Sequence, residues 1–152
     1  MARAWCDAGR FYVDVSPEDF QVPDEDGLVE WLESGIEAMR ADPDLALLVA
    51  EADGEVAGWV GARLVMPASD AQWQLQREHG DTRLIIDAVA VAEAHRGNDA
   101  GVDLVHAAER WGRERGATVA VADGNWSSGV VPRFYESRLG FRRRSLSLRK
   151  AI

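Results

Sequence analysis

The segment from Arg83 to Gly101 constrains the fold more than any other part of the sequence. It begins with the apolar strand pattern RLIIDAVAV, continues through the connection AEAH, and ends in the glycine-bearing loop RGNDAG, which opens a helical pattern over Ala100 to Arg115. A strand that leads through such a loop into a helix is typical of α/β folds. Because the first N–H groups of a helix are unpaired and its dipole is positive there, this loop could hold an anion such as a phosphate.

Two well-known phosphate-binding motifs do not fit this loop. No lysine follows the glycines, as a P-loop requires, and neither the glycine spacing nor the following residues match a dinucleotide-binding fingerprint. On the loop alone, a simple turn between a strand and a helix is an equally good interpretation.

The remaining segments alternate between helical and strand patterns. Apolar residues at three- and four-residue spacing predict helices, and apolar runs bounded by turn residues predict strands. The Asp53-Gly54 pair between two apolar runs predicts a hairpin. Further helices are predicted over 2–13, 26–40, about 69–79 and 132–138, and a helix start is predicted at Ser16. Further strands are predicted over 45–51, 56–65, 117–122 and 141–149. This order predicts a mixed α/β sheet in three layers, with helices on both faces.

Length and composition predict a single domain. The 152 residues contain no internal repeat and no linker-like segment, so we expect one domain over 1–152. The start lacks a signal-peptide pattern and no apolar run is long enough to cross a membrane, which predicts a cytoplasmic protein with no membrane partner. The single Cys6 excludes an internal disulfide, and the three dispersed histidines lack the paired spacing of a metal site.

Charge is distributed unevenly along the chain. Residues 1–99 contain 7 arginines and 21 acidic residues, whereas residues 100–152 contain 10 basic and 5 acidic residues. The first part would repel nucleic acid, and the second part could hold an anion. The change from an acidic to a basic part of the chain falls at the glycine-bearing loop. This position suggests that the protein has one side that binds an anion and another side that suits a cationic partner.

A second segment, Asn125 to Phe141, adds a further pattern. Its sequence, NWSSGVVPRFYESRLGF, places an asparagine after a strand, then a short helix that carries Tyr135, then a Gly-Phe pair that leads into a strand. Together with the strand, loop and helix described above, this segment resembles the GNAT superfamily of acetyl-CoA dependent N-acetyltransferases. The resemblance extends from about Leu45 to the end, and the first residues look like the first helix of small bacterial members.

The resemblance implies a mostly antiparallel central sheet and direct attack of a substrate amine on the acetyl thioester. In the family, a backbone N–H at a bulge in the fourth strand polarises the acetyl carbonyl; this position maps to Val89, with Val91 pairing to the pantetheine arm. Arg96 and the loop backbone would hold the pyrophosphate. The cofactor-binding residues implied are Val89, Ala90, Val91, Arg96, Gly97, Asn98, Asp99, Ala100, Gly101 and Asn125. Without the resemblance, the two valines would be core residues and Arg96 a surface charge.

Tyr135 and Asp87 are the predicted catalytic residues. By the resemblance, Tyr135 donates to, or protonates, the coenzyme A sulfur, and aromatic core packing is the alternative. Asp87 stands out without the family, because it interrupts an apolar run in which an unpaired carboxylate is costly. Burial would suit it to accept a proton from an ammonium group, whereas bonding to sheet-edge groups or to an arginine is the alternative. Asp123 is a weaker second choice.

The sequence departs from the family pattern at three places, one of which is the stretch from Asn125 to Tyr135, longer here than in many members. Asp99 stands where the family's loop has a glycine, and its carboxylate would repel a pyrophosphate, unless it caps the helix and points away. The predicted elements include no strand before the first helix, where the family has one. Three explanations are open: one edge of the sheet is uncovered, another chain covers that edge, or the start of the sequence is placed too far downstream. Coverage by another chain predicts a homodimer.

These observations predict an N-acetyltransferase that moves an acetyl group from acetyl-CoA to a primary amine of a small molecule or peptide. Acidic residues and tryptophans in the first part of the chain favour a cationic acceptor; examples are Asp24, Glu25, Trp31 and Trp73. The alternative is a degenerate domain that binds an acyl-CoA as a sensor or interaction module without catalysis.

Overall fold

The computed structural model describes residues 1–124, 128–145 and 150. These residues form four strands and four helices: α1 (Ala2–Val15), α2 (Leu28–Ala41), β1 (Leu45–Ala52), β2 (Glu55–Val65), β3 (Arg83–Val91), α3 (Ala100–Glu114), β4 (Val119–Ala122) and α4 (Val130–Pro132), which continues as a π-helix over Arg133–Arg138. Short 3-10 helices cover Ala71–Trp73, Arg77–Gly80 and Glu93–His95.

The strands form one open sheet in the order β1-β2-β3-β4. The β1–β2 and β2–β3 pairs are antiparallel and the β3–β4 pair is parallel, which confirms the predicted mixed and mostly antiparallel sheet. Asp53 and Gly54 make the turn between β1 and β2 with φ values of 52° and 80°. A tight hairpin turn of this kind needs positive φ at both positions, which is why the Asp-Gly pair predicted it correctly.

Helices cover both faces of the sheet, as predicted. On one face, α3 packs against the sheet through the buried residues Val60, Ala62, Leu84, Ile86, Leu104, Val105 and Ala108. On the other face, α1 packs through a smaller cluster made of Ala4, Trp59, Ala90 and Ala92. Because β2 and β3 contribute side chains to both clusters, the core is divided by these two central strands.

Three local predictions need correction. The helix start predicted at Ser16 is wrong, because residues 17–19 form a turn in which the Ser16 carbonyl accepts from the N–H groups of Asp19 and Phe20. The short helix predicted around 69–79 is two separate 3-10 helices. Of the strand predicted over 141–149, the part over 141–145 is not in the sheet, and residues 146–149 lie outside the described part of the chain.

The outer edge of β1 has no strand beside it among the described residues, and α1 begins at Ala2. This agrees with the expectation that the sheet lacks a strand before the first helix, whereas the homodimer that would cover this edge stays a prediction. In the described ranges, no helix has the length and apolar character needed to cross a membrane.

Candidate active site

The β3 strand has an open edge beyond the point where β4 ends. Pairing between the two strands runs from Arg83 opposite Val119 to Ile86 opposite Ala122. From Ala88 to Val91, β3 pairs with β2 on one side and with no other strand among the described residues. The Ala92 N–H donates to the Ala57 carbonyl on the β2 side. Because backbone groups alternate along a strand, those of Val89 and Val91 face away from β2, along this open edge. The backbone groups of both valines therefore lie along this edge, whereas those of Ala90 face β2, and the cofactor-binding role of all three stays a prediction.

A bulge lies in β3 at Asp87. Gly61 on β2 pairs with Ala88 and Ala62 pairs with Ile86, so Asp87 is an extra residue without a partner on β2. The bulge expected at Val89 is thus two residues earlier, and Val89 itself pairs regularly with Val60. A bulge increases local twist, and here it coincides with the end of the β3–β4 pairing.

The predicted burial of Asp87 is wrong. Its side chain is 43% exposed and accepts a hydrogen bond of 3.0 Å from Nε of Arg63 on β2. The neighbouring Ile86 points into the core under α3, whereas the bulged residue lies on the other face, where no buried cluster covers it. The carboxylate thus bonds to an arginine, which was the alternative for this residue, and a role as proton acceptor stays a proposal that burial does not support.

The loop between β3 and α3 leaves the start of α3 uncapped. Asp99 is the N-cap residue, but its φ of 61° is left-handed and its side chain makes no hydrogen bond to the helix. A capping aspartate takes an extended conformation, so the predicted capping role is wrong. The carboxylate instead accepts a hydrogen bond of 2.5 Å from Nη2 of Arg138. The first-turn N–H groups of this 15-residue helix consequently have no side-chain cap and are available to an anion.

The remaining loop residues lie around this helix start. Gly97 has φ of 84°, a conformation that favours glycine, and nothing lies within 4 Å of where a Cβ would be. Nε of Arg96 donates to the Val91 carbonyl at 3.2 Å, and its guanidinium lies 5.8 Å from the Phe11 ring centroid on α1. Asn98 lines a shallow cleft together with Ala100. Asn125, also predicted to bind cofactor, lies outside the described residues.

Gly101 brings the π-helix against the start of α3. A Cβ on Gly101 would be 3.2 Å from the Phe134 ring and 3.5 Å from Cγ2 of Val91, so a larger side chain would push these elements apart. The glycine therefore joins three features that are distant in sequence: the end of β3, the first turn of α3, and the helix that carries Tyr135.

Tyr135 follows Phe134 on the same π-helix, and its side chain is partly buried. Its ring packs edge-on against Phe134 and Phe141, with centroids 5.0 Å and 5.4 Å apart. Burial, with smaller contributions from the neighbouring Tyr12 and Asp123, raises the pKa of Tyr135 to about 12. The phenol is therefore protonated throughout the neutral range, where it can donate a hydrogen bond or a proton.

Comparison with known proteins decides the family. The acetyltransferase (GNAT) family model matches residues 10–141, which is most of the chain. The chain belongs to the GNAT acetyltransferase family. It is therefore an acyltransferase, and acetyl-CoA is its cosubstrate.

Solved structures of GNAT-like fold resemble the chain over nearly its whole length. A transcriptional regulator from Bacillus halodurans C-125 is 23% identical with a TM-score of 0.69, and the match covers 95% of this chain and 91% of that one. A tetramutant protein from Bacillus halodurans is 18% identical with a TM-score of 0.77, over 99% and 91%. The aminoglycoside N-acetyltransferase AAC(6')-Iy in complex with CoA is 23% identical with a TM-score of 0.60, over 83% and 90%. No curated protein matches the sequence.

Two residues next to the candidate site residues were not assigned by sequence reasoning. Tyr12 on α1 stacks on Phe20 with centroids 4.7 Å apart, and burial raises its pKa. Its position on the apolar side of α1 was visible in the sequence, but that pattern is equally typical of a core residue. No local sequence pattern points to Arg138, because it contacts Asp99, a residue 39 positions away in the chain. Among the described residues, no group of three or more side chains could ligate a metal ion.

Proposed function

We propose that this GNAT acetyltransferase transfers the acetyl group of acetyl-CoA to a primary amine of a small molecule or a peptide. The observation that carries the proposal is the meeting, around Gly101, of the end of β3, the uncapped start of α3 and the π-helix that carries Tyr135 next to Phe134. Each of these features supplies a different chemical group that direct acetyl transfer needs.

The residues at the junction fit an acetyl-CoA molecule. The uncapped N–H groups of α3 and the open space at Gly97 suit a pyrophosphate, and the positive end of the helix dipole favours its charge. The open edge at Val91 suits the amide groups of a pantetheine arm, which could pair with it as a strand would. When bound, the cosubstrate supplies an activated acetyl group that an amine can attack directly.

The Val89 backbone N–H is the group we assign to polarising the acetyl carbonyl. It lies on the open edge, two residues beyond the bulge, in a strand whose side chains are packed into the core. A donor fixed in this way needs no reorganisation when negative charge develops on the carbonyl oxygen. The adjacent end of β3 holds its direction through regular pairing with β2.

Tyr135 is the group we assign to the departing sulfur. A phenol with a pKa of about 12 is a weaker acid than a thiol, whose usual pKa is about 8.5. Tyr135 therefore stabilises developing negative charge on sulfur by donating a hydrogen bond, and the departing coenzyme A thiolate takes its proton from solvent. This sharpens the role implied by the sequence, which did not distinguish donation from protonation.

Asp87 is the residue we assign to binding the substrate amine and accepting its proton. Its exposed carboxylate, held by Arg63, lies at the bulge close to the open edge of β3. A carboxylate at this place would attract an ammonium group and accept its proton, directly or through water. Large side chains on α2 and the following loops are also exposed, with Trp31 at 60% and Trp73 at 77%, which suits an acceptor with both charge and apolar surface.

The testing experiment measures acetyl transfer directly. The protein is mixed with acetyl-CoA and a panel of amines, and the release of free thiol is followed with a disulfide reagent; the chain's own Cys6 is buried and adds little signal. Aminoglycosides and polyamines belong in the panel, because one protein of similar fold is an aminoglycoside N-acetyltransferase. Amine-dependent release that is reduced in a Tyr135→Phe variant supports the proposal. Calorimetric binding of acetyl-CoA without release for any amine would favour the sensor alternative, and no binding would refute both.

A further inference from the structure

Asp99 places a negative charge beside the uncapped start of α3. It occupies a left-handed position, with φ of 61°, where glycine would be the usual residue. Its side chain is 62% exposed, and Asp103 adds a second carboxylate in the first turn of α3. Two carboxylates at this end of the helix oppose the binding of an anion that the backbone N–H groups would otherwise favour.

Arg138 neutralises the first of these carboxylates. Its Nη2 donates to Oδ1 of Asp99 at 2.5 Å, across the junction between the π-helix and the loop. The neighbouring acid on the π-helix, Glu136, is engaged instead by Arg143, at 2.9 Å and 3.1 Å. The Arg138 guanidinium is therefore directed to the loop and not to the nearest acid of its own helix.

The Arg138–Asp99 pair contributes little to folding. Its side chains are 45% and 62% exposed, and ion pairs at such positions add little to the stability of a protein. The same junction already has an apolar contact between Phe134 and Gly101, which does not depend on charge. The local effect of the pair is to remove the negative charge of Asp99 from the helix start.

We propose that Arg138 is a positioning residue for the cosubstrate: by pairing with Asp99, it allows a loop with a carboxylate at its turn to accept a pyrophosphate. This inference rests on the proposed function of the loop. It predicts that Arg138 acts through Asp99, so that its contribution to binding disappears when Asp99 is replaced.

A double-mutant cycle tests the inference by calorimetry. The dissociation constant of CoA is measured for the unchanged protein and for Arg138→Gln, Asp99→Gly and the double variant. We expect Arg138→Gln to weaken binding about tenfold in the unchanged background and less than about threefold in the Asp99→Gly background. Arg138→Lys, which keeps the charge, should bind more tightly than Arg138→Gln. Pantetheine, which has no phosphate, should bind equally to all four proteins.

Two controls distinguish an effect through Asp99 from a general loss of positive charge and from unfolding. Arg133→Gln removes the same charge from an exposed position on the same π-helix and should leave CoA binding unchanged. Thermal unfolding of each variant shows whether the fold is retained. An equal loss in both backgrounds would mean that Arg138 acts independently of Asp99, and no loss would mean that it has no role; either result overturns the inference alone. If the unchanged protein binds no CoA, the proposed function fails and the inference fails with it.

Discussion

The two sides of the candidate site are built differently. On the cosubstrate side, the groups that matter are backbone atoms: the open edge of β3 and the uncapped start of α3, held in place by the close contact between Gly101 and Phe134. On the proposed acceptor side, the candidate groups are exposed side chains, namely Trp31, Trp73 and Asp87. Backbone geometry suits a ligand that is always the same, whereas exposed side chains can change between relatives without disturbing the fold.

The largest expected effect is on acetyl-CoA binding and comes from a substitution at Gly101, on the cosubstrate side of the site. Gly101→Val would force the π-helix away from α3, because even a Cβ lies 3.2 Å from the Phe134 ring. We expect the dissociation constant of acetyl-CoA, measured by calorimetry, to rise at least about a hundredfold. A further Phe134→Ala change should recover part of the loss.

Gly35→Ala is the matched control on the acceptor side. Nothing lies within 4 Å of a Cβ at Gly35 in α2, so this variant should bind acetyl-CoA normally. It should also be more stable by about 0.5–1 kcal/mol, because alanine is the better helix residue. Normal binding by Gly101→Val would contradict the comparison between the two sides.

The next effect lies at the boundary between the two sides. Tyr135→Phe should retain the fold and the affinity for acetyl-CoA, because the ring keeps its packing against Phe134 and Phe141. Turnover should fall at least about tenfold, since the donor to the sulfur is lost. Steady-state kinetics and calorimetry on the same preparation check both statements, with Tyr12→Phe as a comparison. Unchanged turnover would remove the assignment.

A smaller effect is expected on the acceptor side. In Asp87→Asn, the proposed proton acceptor is lost, so kcat/KM for the best amine should fall several-fold. Arg63→Gln removes the ion-pair partner but keeps the Asp87 carboxylate, and it should retain most of the activity. Steady-state kinetics with the same amine measure both variants. Unchanged kcat/KM in Asp87→Asn would exclude Asp87 as the base.

The smallest effect concerns the two tyrosines, which burial makes weaker acids. The pKa of Tyr135 is raised to about 12 and that of Tyr12 lies above its usual value of 10.0. The folded protein keeps these protons while the unfolded chain loses them, so stability should fall as the pH rises above 10. Denaturant unfolding across this range should show a shallower fall for Tyr135→Phe. Tyrosinate absorbance that develops near pH 10 in the native protein would contradict the burial.

Elements defined by local patterns could be predicted from the sequence. The strand Arg83–Val91, the Asp53-Gly54 hairpin and the helix that starts at Ala100 follow from apolar spacing and turn residues, and the structure has them at or within a residue of the predicted bounds. Tyr135 also came from a local motif. These features depend on neighbours in the chain, which a pattern of residues can report.

Features that depend on contacts between distant segments could not be predicted. The exposure of Asp87 follows from a bulge opposite Gly61 on β2, which alters the alternation expected from the apolar run. The Asp99 carboxylate binds Arg138, 39 residues away, and does not cap α3, because its backbone is left-handed. Neither the register of a strand pair nor a long-range ion pair leaves a local signal in one sequence.

The early end of β4 has a consequence for the dynamics of the protein. Within the part of the chain that the structure describes, the amides of Val89 and Val91 face an edge without a neighbouring strand, so in the free protein we expect their hydrogens to exchange rapidly with solvent. A pantetheine arm seated there would act as a temporary fifth strand and slow that exchange. The ligand would then complete the sheet, and the melting temperature should rise with ligand concentration, as mass action requires.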